Sequence, residues 1–261
     1  MQISNIKRTS IGRTNIRKTN IKRTNINKSR FDRFLPSFAI VPLIMLVLSN
    51  ISVYYGARLL NAFLDRPYHD MSGIVDNAIP VIPGFAIIYL LAFPFWYISY
   101  FMICRSDPDK CRATVIVSVT AKLLCGLIFV MIPTTGPRPD VTGSGISGTL
   151  LGFIYAMDTP DNLFPSIHCF ESVLCFLFIN DEPKVHRSIK LSALVLAVLI
   201  CLSTLFTKQH VLPDVLSGIL LAVAAYFARR LLMSHSLRFF EKNNNRSSSL
   251  TQGAYCSSTL P

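Results

Sequence analysis

Six long apolar runs separated by short polar segments dominate this chain. They cover approximately Phe34–Tyr55, Ala78–Ile103, Ala113–Pro133, Pro165–Asn180, Ile189–Phe206 and Pro213–Met233. Most reach the roughly 20 residues that a helix needs to cross a ~30 Å hydrocarbon core. The fourth run is shorter, about 24 Å as helix at about 1.5 Å per residue, a length that suits a span opening onto a polar pocket. Pro83 and Pro94 predict kinks in the second run. The pattern predicts an all-α fold, a six-span transmembrane helical bundle. It divides into a tail (1–33), two spans (34–112), a four-span unit (113–233) and a polar tail (234–261).

Composition strengthens the membrane reading. The 261 residues are 51% hydrophobic and 15% charged, whereas soluble domains carry about 25% charged residues. The net charge of +12 does not imply nucleic acid, because the basic residues flank the apolar runs as membrane topology requires. With the N-terminus inside, the inner segments hold 21 of the 26 Lys and Arg residues. The outer segments hold Arg58, Arg66, Arg138 and Lys208, and Lys122 alone falls within a run. Both termini are therefore expected on the cytoplasmic side of the cell membrane. Residues 5–29 form a five-residue basic repeat, NIKRT to NINKS, whose period builds no apolar helix face. A disordered tail in weak contact with an anionic leaflet is expected. The seven cysteines form no CxxC pair and read as small buried hydrophobes, with no disulfide, metal site or cofactor.

Three polar fragments interrupt the pattern at run ends. They are Gly136–Pro139 (GPRP), Phe164–His168 (FPSIH) and Thr207–Asp214 (TKQHVLPD). The charge-based topology places all three on the outer face, although they took no part in choosing it. His210 and Asp214 are four apart around Pro213, and proline is favoured at the first helical position. Asp214 in the first turn can then orient the His210 ring and leave its other nitrogen as nucleophile. Ser166 and His168 open the fourth helix, where unpaired N–H groups favour an anion and a histidine can protonate a leaving group. Arg138, stiffened between two prolines, can grip phosphate in a bidentate manner, while Lys208 supplies a point charge. Each fragment alone has a plain structural reading, as a helix cap or an interfacial side chain. Their convergence on one face points to phosphate chemistry.

The fragments resemble the type 2 phosphatidic acid phosphatase superfamily, which includes the vanadium haloperoxidases. Its motifs are KxxxxxxRP, PSGH and SRxxxxxHxxxD. Arg138-Pro139 matches the end of the first, Pro165-Ser166-Ile167-His168 the second, and Ser203, His210 and Asp214 the third. The resemblance implies that 113–233 is a phosphatase core with its active site at the extracytoplasmic ends of the last four spans. It implies His210 as the nucleophile that carries a phosphohistidine, Asp214 as its partner and His168 as acid, then base. Arg138, Lys208, Ser166 and Ser203 would hold the phosphate, with no metal. The implied activity is hydrolysis of a lipid phosphate, with membrane lipids as surroundings and no nucleic acid as partner.

Two positions depart from the motifs: Met131 stands at the first-motif Lys and Thr204 at the third-motif Arg. Lys208 is similar to a lysine of inositol-phosphorylceramide-synthase-like members, which transfer a headgroup phosphate to a lipid alcohol. Water is expected as acceptor, because Thr134–Asn162 reads as a Gly- and Thr-rich loop with few apolar residues for a second lipid pocket. The lost cations favour a monoester over a pyrophosphate. Glu171, one turn below His168, is expected to form a structural ion pair with Lys122, since ionisable groups inside spans are costly unless paired.

Overall fold

The computed structural model describes residues 35–141 and 145–256, with side chains described up to residue 234. The basic repeat at 5–29 lies outside the described residues. Among the described residues, five helices are long and apolar enough to cross a membrane: Ser37–Phe63, Pro83–Cys104, Pro108–Met131, Arg187–Phe206 and Leu212–Ser234. Their outward faces remain apolar, with Val41, Leu59, Leu123, Leu127, Leu191 and Leu220 all exposed. In water such faces would be aggregation surfaces; against lipid they carry no penalty.

The first span, α1 (Ser37–Phe63), runs two turns beyond the expected Tyr55. Arg58 in that extension meets Asp161 at 3.1 Å. A two-residue parallel pairing follows, joining β1 (His69–Asp70) to β2 (Thr134–Thr135). The short helix α2 (Ile74–Ala78) precedes the second span. Ala78 therefore closes a separate element, and the span begins at Pro83, at the first position of a 3₁₀ turn. Proline's missing N–H leaves no bond unmade there, so Pro83 starts the element instead of kinking it. Pro94 does interrupt the span: α3 (Ala86–Leu90) stops and α4 (Ala92–Cys104) restarts. The break falls at the carbonyl four residues before the proline, which no N–H can reach.

The third span, α5 (Pro108–Met131), is capped by Asp107, whose side chain accepts the N–H groups of Asp109 and Lys110 at 2.8 and 3.1 Å. It packs along α1 where Gly126 faces Val53. A Cβ there would lie 3.0 Å from a Val53 methyl. The expected open loop Thr134–Asn162 instead contains a 13-residue apolar helix, α6 (Gly145–Met157). Its Leu151 and Ile154 are buried with Ala86 and Tyr89 of α3. The fourth apolar run forms α7 (Ile167–Asn180), a helix of 14 residues, about 21 Å long. It packs against α4, α8 (Arg187–Phe206) and α9 (Leu212–Cys256) and reaches α5 through Glu171 and Lys122. Phe170, Leu174 and Phe178 of α7 are fully buried in the core that these helices share.

Charge pairs lock one end of the bundle, the end expected to face inward. Lys110 of α5 lies 2.7 Å from Glu182, and buried Arg229 of α9 approaches Asp181 and Glu182 at 3.7 and 3.9 Å. Midway through the bundle, Lys122 and Glu171 form the expected ion pair at 2.5 Å. Glu171 also accepts Tyr100 Oη, and Lys122 donates to the Leu46 carbonyl at 3.0 Å. This network gives both buried charges polar partners, which is the condition for holding them in a low-dielectric interior.

Candidate active site

The three polar fragments meet at the end of the bundle opposite the inner charge pairs. Their joints are hydrogen bonds of backbone and side chain. Ser166 N–H donates to the Asp214 carbonyl at 3.0 Å, tying the second fragment to the third. Thr134 Oγ1 accepts the N–H groups of Leu163 and Phe164 at 3.0 and 2.9 Å, tying the end of the third span to the second fragment. Arg138 Nη2 donates to Gln209 Oε1 at 2.5 Å, tying the first fragment to the third.

One glycine permits this convergence. At Gly218 of α9, an added Cβ would sit 2.5 Å from the Ser166 carbonyl and 3.1 Å from Cys169 Cβ. The start of α7 can lie against α9 because this position has no side chain. Ser166 itself caps α7, its Oγ accepting Cys169 N–H at 3.3 Å.

His210 precedes α9, and its Nδ1 lies 3.3 Å from Asp214 Oδ2. The same carboxylate oxygen accepts Val211 N–H at 3.0 Å. Both side chains are buried. Burial opposes a charged His210 ring, but the hydrogen bond and charge of Asp214 outweigh it, so the pKa stands above the usual histidine value. With Nδ1 engaged, Nε2 is the nitrogen left for chemistry. His168, the second residue of α7, stacks on Tyr89 with ring centroids 4.4 Å apart and lies 5.2 Å from the Trp96 ring. Its Nε2 is buried and has no hydrogen-bond partner among the described residues. The two histidine rings are 6.0 Å apart, and both line one cavity of about 370 Å³, within the range of small-ligand sites.

The remaining sequence candidates lie around this cavity, outside its lining. Arg138 donates to the carbonyls of Tyr155 and Asp158 as well as to Gln209, and its guanidinium lies over the Tyr155 ring. Lys208, with φ of 51°, turns its Nζ to the Asp76 carbonyl at 2.5 Å. Ser203 Oγ donates to the Ile200 carbonyl of its own helix at 2.7 Å. At the two departures from the motifs, Met131 is exposed on the outside of α5 and Thr204 is buried, its Oγ1 bonded to the Cys201 carbonyl at 2.8 Å. Neither replaces the missing cation.

Four site residues escaped the sequence reading. Asp158, at the end of α6, accepts Tyr54 Oη at 2.8 Å and Tyr89 Oη at 2.5 Å on separate oxygens, inside the cavity wall. Gln209 links Arg138 to the same wall. Tyr89 carries the hydrogen bond that places its ring on His168. Asp76 of α2 accepts Leu212 N–H at 2.7 Å and docks that short helix on the loop before α9. The apolar spacing Ile146, Leu150, Phe153, Met157 in α6 was the available signal for Asp158, since it marks a helix that ends there.

The chain matches the PAP2 superfamily over residues 71–228. An uncharacterized protein of Methanocaldococcus jannaschii is 28% identical over 151 residues, spanning 56% of this chain and 60% of that relative. No solved structure matches. The superfamily match takes in every fragment of the site and more than half of the sequence, so the chain belongs to the PAP2 superfamily.

Proposed function

We propose that the protein is an integral membrane phosphatase that hydrolyses lipid phosphate esters through a phosphohistidine on His210. Superfamily membership supports phosphatase-type chemistry. The observation that carries the reading further is the shared cavity: His210, its Nδ1 held by Asp214, faces the same space as His168. His210 Nε2 attacks phosphorus, and the bond from phosphorus to the lipid oxygen breaks. His168 gives that oxygen a proton. Neutral His168 then takes a proton from water as it cleaves the phosphorus–nitrogen bond, releasing the phosphate product and restoring both histidines.

Arg138 and Lys208 are each bonded to neutral oxygens, so their positive charge remains available to a phosphate. Positioning and positive potential are the main needs of phosphoryl transfer. Ser166 presents the capped N-terminus of α7 to the same anion. Ser203 acts at one remove, through the helix that carries the His210 loop. In this reading α7, although short, completes a six-span bundle. The site faces the extracytoplasmic side of the cell membrane, with both termini inside.

The α6 helix favours a second reading, transfer to a lipid alcohol. Phe153, Ile154 and Met157 line the cavity, so apolar side chains that could receive a second lipid stand where a polar loop was expected. Purified protein incubated with a panel of lipid phosphates decides between them. Hydrolysis predicts release of phosphate, or of a phosphorylated headgroup from a diester, without added alcohol, persistence in EDTA, inhibition by vanadate and an acid-labile phosphoprotein lost in His210→Gln. Turnover that requires an added lipid alcohol would establish the transferase, and absence of any phosphoprotein would sink the nucleophile assignment.

A further inference from the structure

One wall of the cavity, whose rings Tyr89, Phe93 and Trp96 also pack on His168, has the chemistry of a cation site. Tyr54, Tyr55, Tyr89, Phe93, Trp96 and Tyr97 line it, together with Asp158 and Asp161. No Lys or Arg side chain is among its described lining residues. Aromatic rings beside a carboxylate are the usual recognition elements for ammonium groups. The Asp158 carboxylate is held by two tyrosine hydroxyls, which are neutral donors.

Unmet acceptors point the same way. Asn162 is 4% exposed, and its Oδ1 has no hydrogen-bond partner among the described residues. The same is true of Asn50 Oδ1 and of Asp161 Oδ1, whose other oxygen meets Arg58. All three residues line the cavity. Buried acceptors without donors are rare in folded proteins, so this wall is suited to a ligand that brings positive charge or N–H groups. A phosphate monoester brings neither. Arg138 meets this wall only through neutral groups, donating to the Asp158 carbonyl and to Gln209 from behind the lining.

We propose that this wall is an ammonium subsite, and that the ester taken by the site is a zwitterionic phosphodiester lipid. Its phosphate would lie towards His210, and its amine-terminated headgroup against Asp158 and the aromatic rings. The inference rests on the proposed reading for the position of the phosphate. It narrows that reading from lipid phosphates in general, and it departs from the monoester that the motifs favoured. A neutral polyol headgroup would also meet the unpaired acceptors, but it would leave the Asp158 carboxylate, unlike Asp161 with Arg58, without a cation.

Trp96 is the single tryptophan of the chain and lies in the cavity wall, so its emission reports occupancy directly. Full-length His210→Gln protein, which cannot turn over, would be titrated in an uncharged detergent. The probes are dihexanoyl lipids carrying choline, ethanolamine, inositol or a bare phosphate, each below its critical micelle concentration. The choline and ethanolamine esters should bind about tenfold more tightly than the other two, the scale of one cation–π contact. Asp158→Asn should remove most of that preference while phosphatidate binding holds.

Equal or tighter binding of the bare phosphate or inositol ester would overturn the subsite, and this comparison needs no Asp158 variant to fold. The two readings fail separately. Ammonium-selective binding without a phosphoprotein in the unmutated chain would leave the subsite and remove the phosphohistidine. A phosphoprotein formed with no headgroup preference would do the reverse.

Discussion

The two ends of the bundle treat charge in opposite ways. At the inner end, charges neutralise one another: Lys110 meets Glu182, and Arg229 faces Asp181 and Glu182. The buried pair midway, Lys122 with Glu171, follows the same rule. At the site end, the outer one in the proposed topology, the polar groups are held by neutral partners. Arg138 and Lys208 donate to carbonyl and amide oxygens, while Asp158 accepts tyrosine hydroxyls. Arg58 with Asp161 is the ion pair that departs from this pattern. An ion pair spends its field on its partner, whereas a charge held by neutral dipoles keeps its field for a ligand. The inner charges therefore fasten helices, and the outer ones are poised for a substrate.

The sharpest way to break this contrast is to show that the ends face the wrong compartments. In a Cys256→Ser background, cysteines at Asp65 and Lys184 place one thiol at each end. An impermeant maleimide applied to intact cells should label Asp65→Cys fully and Lys184→Cys only after lysis. The reverse pattern would put the site inside the cell and overturn the topology drawn from the basic residues.

Removing a reacting group at the outer end should cost rate and little stability. His210→Gln should lower turnover by about four orders of magnitude or more, the scale seen when a nucleophile is removed. His168→Ala should lower it by about 10²–10⁴. Thermal unfolding of both variants should stay close to that of the parent chain. Near-normal activity of His210→Gln would show that the outer charges serve another purpose.

At the buried pair the expectation inverts. Lys122→Met leaves Glu171 uncompensated at 1% side-chain exposure, a change that costs about 3–5 kcal/mol. Adding Glu171→Leu should restore most of the stability, because an apolar pair of similar volume replaces an ion pair at little net cost. Activity per folded molecule should be preserved in the double variant. A double variant that folds and is inactive would move Lys122 from the structural class to the catalytic one.

The differing legibility of the two regions follows from this contrast. Lys122 and Glu171 were readable because isolated charges in apolar runs must find each other. The three outer fragments were readable as a set because their residue types recur at fixed spacings. Asp158 was not, because its role depends on Tyr54 and Tyr89, more than 60 positions away in sequence. The α6 helix was obscured when its Gly- and Thr-rich surroundings were averaged with it, although its own window has a helical period. Lys208 lies with the converging fragments, but a left-handed backbone at that residue turns its side chain to Asp76, a direction that spacing does not encode.

The smallest effect expected is a change in pH dependence at the outer end. His210 must be neutral at Nε2 to attack phosphorus, so turnover should fall as pH drops through its pKa in the folded protein. That pKa is raised by Asp214 against the opposing effect of burial. Asp214→Asn removes the carboxylate charge and weakens the hydrogen bond while keeping the shape. Burial is then left unopposed, and the acid limb of the rate profile should move to lower pH. The plateau should also fall, because the amide holds the imidazole less firmly in its working tautomer. The same linkage applies to stability. A raised pKa means that His210 contributes stability when protonated, fully below its unfolded pKa and lost as pH rises through the folded one. Parent and variant should therefore differ most in melting temperature on the acid side and converge towards alkaline pH as far as His210 is concerned. An acid limb that stays in place in Asp214→Asn would assign it to another group, leaving Asp214 a positioning residue without influence on the charge of His210.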